Sequence, residues 1–160
     1  VNKKILDLLC ENARYSNDEI AVMLGITADE VKAAIAEMEA AGIICGYTAL
    51  VNYEKTENED VTALIELKVT PQPDAGFEDI ACKIKEFKEV ESVSLMSGGF
   101  DFAVTVKGAN LRDVAMFVAK RLSTLEGVLS TATHFVLRKY KDMGVDLADK
   151  SESDRRVMPF

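Results

Sequence analysis

Tryptophan is absent from this chain, histidine occurs once, at His134, and cysteine and proline occur three times each. The cysteines, Cys10, Cys45 and Cys82, are odd in number and widely spaced, so neither a disulfide framework nor a CxxC metal site is expected. Their apolar neighbours predict buried thiols. No HExxH, GxxxxGK[ST] or GxSxG pattern occurs, and Tyr47, Tyr53 and Phe100 are too scattered for a base-stacking platform. No apolar run approaches the roughly 18 residues that span a bilayer, and "VNKKILDLL" lacks the apolar block and cleavage site of a secretory signal. The expectation is a cytoplasmic protein with no membrane partner, no cofactor, no metal site and no catalytic residues. Positive charge is scarce as well: the net charge is -8, and residues 1–46 hold four basic against eight acidic groups. Such a surface works against nonspecific attraction to phosphates.

What remains is ample for folding. A chain of 160 residues with 48% apolar content can bury the core of one ordinary domain or two small ones. Residues Asn2 to Glu11 place Ile5, Leu6 and Leu9 on one helical face. Ser16 with Glu19, and Thr27 with Glu30, have the spacing of two capping boxes. Ile20, Met23 and Leu24 are the expected inward face of the second helix, which Gly25 stops; Val31, Ile35 and Met38 are that of the third, which Gly42 ends. The turn "LGIT" is short enough to force a sharp corner, the helix-turn-helix arrangement. "IICGYTALVNY" reads as extended, and "NYEKTENED" as an exposed linker.

A different pattern begins at Val61. "VTALIELKVT" alternates, with Val61, Ala63, Ile65, Leu67 and Val69 on one face, and Pro71 and Pro73 end the strand. A helix follows with Phe77, Ile80, Ile84 and Phe87 inward. "ESVSLMS" and "DFAVTVKG" are strands joined through "GGF"; Leu111, Val114, Val118, Leu122 and Leu125 mark a further helix. "VLSTATHFVLRKY" is a last strand, with Leu129, Thr131, Thr133, Phe135 and Leu137 at period two. The order β-α-β-β-α-β is the ferredoxin-like unit, with both helices on one face of a four-stranded antiparallel sheet. The bare face carries apolar residues such as Leu64, so a second copy is expected to cover it. The division expected is residues 1–50, a linker at 51–60, the sheet domain at 61–140 and a loosely held tail at 141–160, in which Arg155 and Arg156 are solvated.

"RYSNDEIAVMLGIT", "GIICGYTALVN", "LMSGGFDFAVTV" and "GVLSTATHFVL" together resemble the leucine-responsive/asparagine-regulator (Lrp/AsnC) family of transcriptional regulators, over nearly the whole chain. The resemblance implies an α+β protein with an N-terminal winged helix-turn-helix domain that binds double-stranded DNA. A ferredoxin-like domain for amino-acid-metabolism regulation (RAM) follows, and dimerises. It also implies dimers that assemble into octamers, with a small effector, usually an amino acid, held between RAM domains of adjacent subunits. The residues carried over to DNA are Ser16, Asn17, Thr27, Ala28, Lys32, Ala33 and Ala36. Those carried over to the effector are Ser97, Gly98, Gly99, Phe100, Asp101, Thr131 and Thr133.

Physical chemistry allows these roles and bland ones beside them. Hairpin glycines open backbone N–H groups to a carboxylate, Asp101 can pair with an ammonium group and threonine hydroxyls can serve either. Equally, the glycines can serve the turn alone, Asp101 cap it and the threonines simply form strand. Two departures from the family pattern stand out: Gly99, where many members carry an acidic or polar side chain, and a recognition helix with Asp29, Glu30, Glu37 and Glu39 against Lys32. Carboxylates in a first helical turn satisfy the helix dipole, alanines permit close approach to DNA, and helix N-terminal amides hold phosphate. Two further readings stay open: a sensor or assembly protein that has lost DNA affinity, and a siroheme-decarboxylase-like enzyme with His134 as its acid.

Overall fold

Two capping boxes and two glycines delimit the N-terminal helices. In the computed structural model, which describes residues 1–57, 60–70 and 76–147, these are α1 (Asn2–Glu11), α2 (Asn17–Leu24) and α3 (Ala28–Ala40). Gly25 and Gly42 both take φ +68°, the left-handed conformation that lets the chain turn out of α2 and α3 without a Cβ penalty. Ile5, Ile20, Val31 and Met38 are buried together with Ala21, and full burial of each large side chain is worth about 1.5–3 kcal/mol. Met23 is a correction: it is 47% exposed, because the stripe that meets α1 and α3 is Ile20, Ala21 and Leu24. All three cysteines are exposed, against the expectation of burial. Residues 43 and 44 bend back onto the end of α3, both N–H groups donating to Met38 O, and residues 45–51 belong to no helix or strand, so the segment read as extended pairs with no strand among the described residues. Residues Val1–Val51 form one unit and the chain from Asn52 a second.

The second unit has β1 (Val61–Val69), α4 (Glu78–Lys85), β2 (Val90–Leu95), β3 (Phe102–Gly108), α5 (Leu111–Phe117), a π-helical turn (Val118–Leu122) and β4 (Val128–Phe135). Strand order is β2-β3-β1-β4, every neighbour antiparallel. The alternating odd positions of β1 from Ala63 to Val69 are buried against Ile80 and Ile84 of α4 and Val114, Phe117 and Leu122. Edge-to-face ring pairs, Phe77–Phe102 at 5.9 Å and Phe87–Phe117 at 5.4 Å, fill this layer, each adding about 0.5–1.5 kcal/mol beyond its area.

Three apolar positions of the expected pattern, Leu111, Leu129 and Leu137, face solvent instead. Leu111 is 56% exposed, because it is the first residue after the Asn110 cap, whose side chain accepts from the Asp113 N–H. Further on, the Ser123 N–H reaches back to Val118 O at 2.8 Å, a wide turn that brings Val118 and Leu122 to the core with Phe117. Leu129 is 69% exposed: Ser130 pairs with Lys68 but Val128 with Val69, so Leu129 is a bulge residue and Val128 takes its place toward the core. Leu137 lies beyond β4 and is also exposed.

Residues at both margins join this unit. Tyr53–Lys55 is a single 3-10 turn, Glu54 pairs with Arg138 at 3.2 Å, and the Asn52 side chain donates to Leu147 O at 2.9 Å. A small hairpin, β5 (Lys141–Asp142) and β6 (Val145–Asp146), precedes Leu147. Pro71 and Pro73, and the tail from 148 with Arg155 and Arg156, lie outside the described residues.

Candidate functional site

The helix-turn-helix residues begin with two hydroxyls already engaged. Ser16 Oγ accepts from the Glu19 N–H and Thr27 Oγ1 from the Glu30 N–H, both at 3.2 Å. Each glutamate returns the bond, accepting from the cap's backbone N–H at 2.7 and 2.8 Å and from its hydroxyl at 2.9 and 2.8 Å. The backbone bonds, then the hydroxyl bonds, hold both carboxyls below the usual glutamate range. Thr27, Lys32, Ala33 and Ala36 are exposed along α3 with Ser16 at the start of α2, while Asn17 and Ala28 are half-buried. The acidity of α3 is partly committed elsewhere: Glu30 closes the cap, and Glu39 accepts from the Tyr47 hydroxyl at 2.9 Å. Partial burial, then that bond and the glutamate's charge, push the Tyr47 phenol up. This tie from the segment after α3 back to α3 gave no signal in the sequence, since eight residues and a turn separate the partners.

The effector candidates lie at one end of the sheet. Ser97, Gly98 and Gly99 are exposed in the β2–β3 loop. Gly98 has φ +141°, which favours glycine, and a Cβ added at either glycine would meet nothing within 4 Å. Phe100 and Asp101 are half-buried. Asp101 is stitched in three ways: its N–H donates to Leu67 O, its carbonyl accepts from the Met96 N–H, and its Oδ2 accepts from the Val69 N–H, all at 2.8 Å. One carboxylate oxygen is therefore spent on the sheet. Thr131 and Thr133 stand opposite Leu67 and Ile65, half-buried on the helix-covered side. Since Phe102 pairs with Leu67 from the other flank, Thr131 and the base of the loop are two strands apart, about 10 Å.

His134 points the other way. It pairs with Glu66 at 3.3 Å and sits opposite Leu64 on the sheet face turned away from α4 and α5. Ala103, Thr105 and Ala132 share that face by the strand alternation. Among the described residues no cluster of three or more His, Cys, Asp or Glu side chains is disposed to hold a metal, and no helix is long and apolar enough to cross a membrane.

Comparison with known proteins agrees with this division. Residues 62–146 match the Lrp/AsnC ligand-binding domain and residues 1–44 a winged helix-turn-helix DNA-binding domain. The chain is 44% identical to the HTH-type transcriptional regulator YugG of Bacillus subtilis, covering 97% of this chain and 93% of that protein. It is 31% identical to the HTH-type transcriptional regulator LrpA of Pyrococcus abyssi, covering 88% and 96%. The structure of the transcriptional regulator NMB0573 of Neisseria meningitidis in complex with L-Met superposes with a TM-score of 0.71 at 27% identity, over 91% and 94% of the two chains. These relatives are transcriptional regulators, not enzymes, which removes the decarboxylase reading of His134 and leaves the DNA-free sensor without support. The chain belongs to the Lrp/AsnC family: a DNA-binding transcriptional regulator whose helix-turn-helix unit precedes a ligand-binding domain.

Proposed function

We propose that this regulator acts in the cytoplasm and responds to an amino acid. Its effector is held by Ser97–Asp101 and by Thr131 and Thr133 of adjacent RAM domains, and its DNA contacts are made by Ser16, Asn17, Thr27, Ala28, Lys32, Ala33 and Ala36. The observation that carries the effector half is the open space at Gly98 and Gly99, where backbone amides can approach a carboxylate. The related regulator bound to L-Met supports the class of ligand. For DNA, the exposed alanines of α3 allow its backbone to approach the groove, and the first amides of a capped helix suit a phosphate. With Lys32 as the one basic residue of α3, affinity per subunit is low, and several subunits on one DNA supply the rest. A second copy covers the bare sheet face and forms the dimer, and dimers assemble further. Fluorescence anisotropy with the chain's own upstream DNA, at two salt concentrations and against an unrelated DNA, tests this: selective, salt-weakened binding that shifts with an amino acid is expected. No selective binding at either salt refutes it.

A further inference from the structure

On the helix-covered side of the second unit, α4 does not close over the edge strand β2, and a groove of about 330 Å³ runs between them. Its floor is apolar: Phe77, Val90, Val93 and Phe102, with Leu95 left exposed at one end. Its rim carries Glu78 and Lys85 from α4 and Glu91 from β2. None of these three makes an ion pair or side-chain hydrogen bond within the described residues, and each is exposed. Cys82, a free and exposed thiol, lies between Glu78 and Lys85 on the same rim.

The topology orders these groups along the groove. β1 and β2 both run antiparallel to β3, so the connecting helix runs back against them. Lys85 therefore lies at the start of β2 beside Glu91, and Glu78 at its end beside Leu95. Glu78 and Lys85 are seven residues apart on one helix, about 10 Å along its axis. One end thus offers a cation and an anion, the middle an apolar channel, and the far end a second anion. Two acids against one base leave a local charge of minus one.

We propose that this groove binds a basic α-amino acid, such as lysine or arginine. Lys85 takes the carboxylate, Glu91 the α-ammonium, the aliphatic stem lies along Phe77, Val93 and Phe102, and Glu78 takes the terminal cation. The three charges of the ligand complement the three of the groove in kind and order, and a neutral apolar amino acid leaves Glu78 unanswered. The site goes beyond the effector reading above: it uses none of Ser97–Asp101, Thr131 or Thr133. The two sites nevertheless adjoin, because Leu95 and Phe102 of the groove are paired at the base of that loop.

Cys82 provides the assay. In the full chain carrying Cys10→Ser and Cys45→Ser, Cys82 is the sole thiol, and its alkylation rate reports whether the groove is open. L-lysine is expected to slow alkylation in proportion to the ligand-free fraction, about tenfold at ten times Kd. L-norleucine, with the same stem and no cation, protects much less, and Glu78→Gln removes the difference between the two. Lack of protection by L-lysine, equal protection by L-norleucine, unchanged protection in Glu78→Gln, or a Cys82 unreactive before any ligand is added each overturns the proposal. DNA binding and its response to other amino acids are read in the anisotropy assay, so either reading can fail without the other.

Discussion

Asp101 is where the sequence suggested a ligand contact and the fold shows a structural bond. Its Oδ2 accepts the Val69 N–H at 2.8 Å, and Val69 is buried at the last position of β1. Asp101→Ala removes a charged acceptor and strands that amide, at a cost of about 2–3 kcal/mol. Asp101→Asn keeps a neutral carbonyl acceptor in the same place and costs about 1 kcal/mol or less. At about 4 °C per kcal/mol for a unit of this size, the melting temperature falls by about 8–12 °C in the first variant and by at most about 4 °C in the second. The assay is thermal unfolding at fixed protein concentration, because self-association would otherwise shift the midpoint. Hydrogen exchange supplies a local readout: the Val69 amide loses protection in Asp101→Ala and retains most of it in Asp101→Asn. If Asp101→Ala is as stable as the parent, or Asp101→Asn is as damaged as Asp101→Ala, the bond is not what holds this end of the sheet. With the fold retained, Asp101→Asn also isolates the charge: loss of effector response in that variant assigns the remaining oxygen to an ammonium group.

Gly127 has φ +90°, and a Cβ there would lie 2.9 Å from Ile80 Cδ1 and 3.2 Å from Thr70 O, so Gly127→Ala is expected to cost about 2–4 kcal/mol by urea unfolding. Gly99→Ala, with open space and no positive φ, should stay within about 0.5 kcal/mol. Glu19 and Glu30 have depressed folded-state pKa values, so their capping contribution is full above the unfolded value of about 4.3 and is lost as pH falls through the lower folded value. The double variant Glu19→Gln, Glu30→Gln should therefore flatten the acid limb of the N-terminal unit's stability, followed by circular dichroism; an unchanged limb refutes the linkage. Leu64→Glu, an exposed position on the sheet face turned away from α4 and α5, should shift the mass measured by light scattering to that of a monomer while leaving the circular dichroism intact. A mass unchanged from the parent would place the self-association surface elsewhere.

What was legible in advance was what closes over short distances. The capping boxes at Ser16 and Thr27 are satisfied within three residues, Gly25 and Gly42 set their own backbone angles, and the alternation of β1 needs only a sheet with one covered face. Those local rules were enough for two small domains, their element order and the glycine loop between β2 and β3, to which only the family resemblance attached an effector. Acidity on α3 read as a charge problem, because nothing in the chain's order reveals that Tyr47 folds back onto Glu39. Leu129 fitted the strand period and still faces solvent, since the bulge arises from how β4 registers with Lys68 and Val69. Asp101 and Val69 are 32 residues apart, and the groove between α4 and β2 exists only once a crossover has brought them side by side. By itself the sequence determined where helices start and stop and which side chains seek a core, because those preferences are paid within a turn or a strand. Strand register, the engagement of Asp101 and the placing of Glu78, Lys85 and Glu91 around one groove were decided by tertiary structure, because each depends on the packing of segments whose relative position no local preference sets.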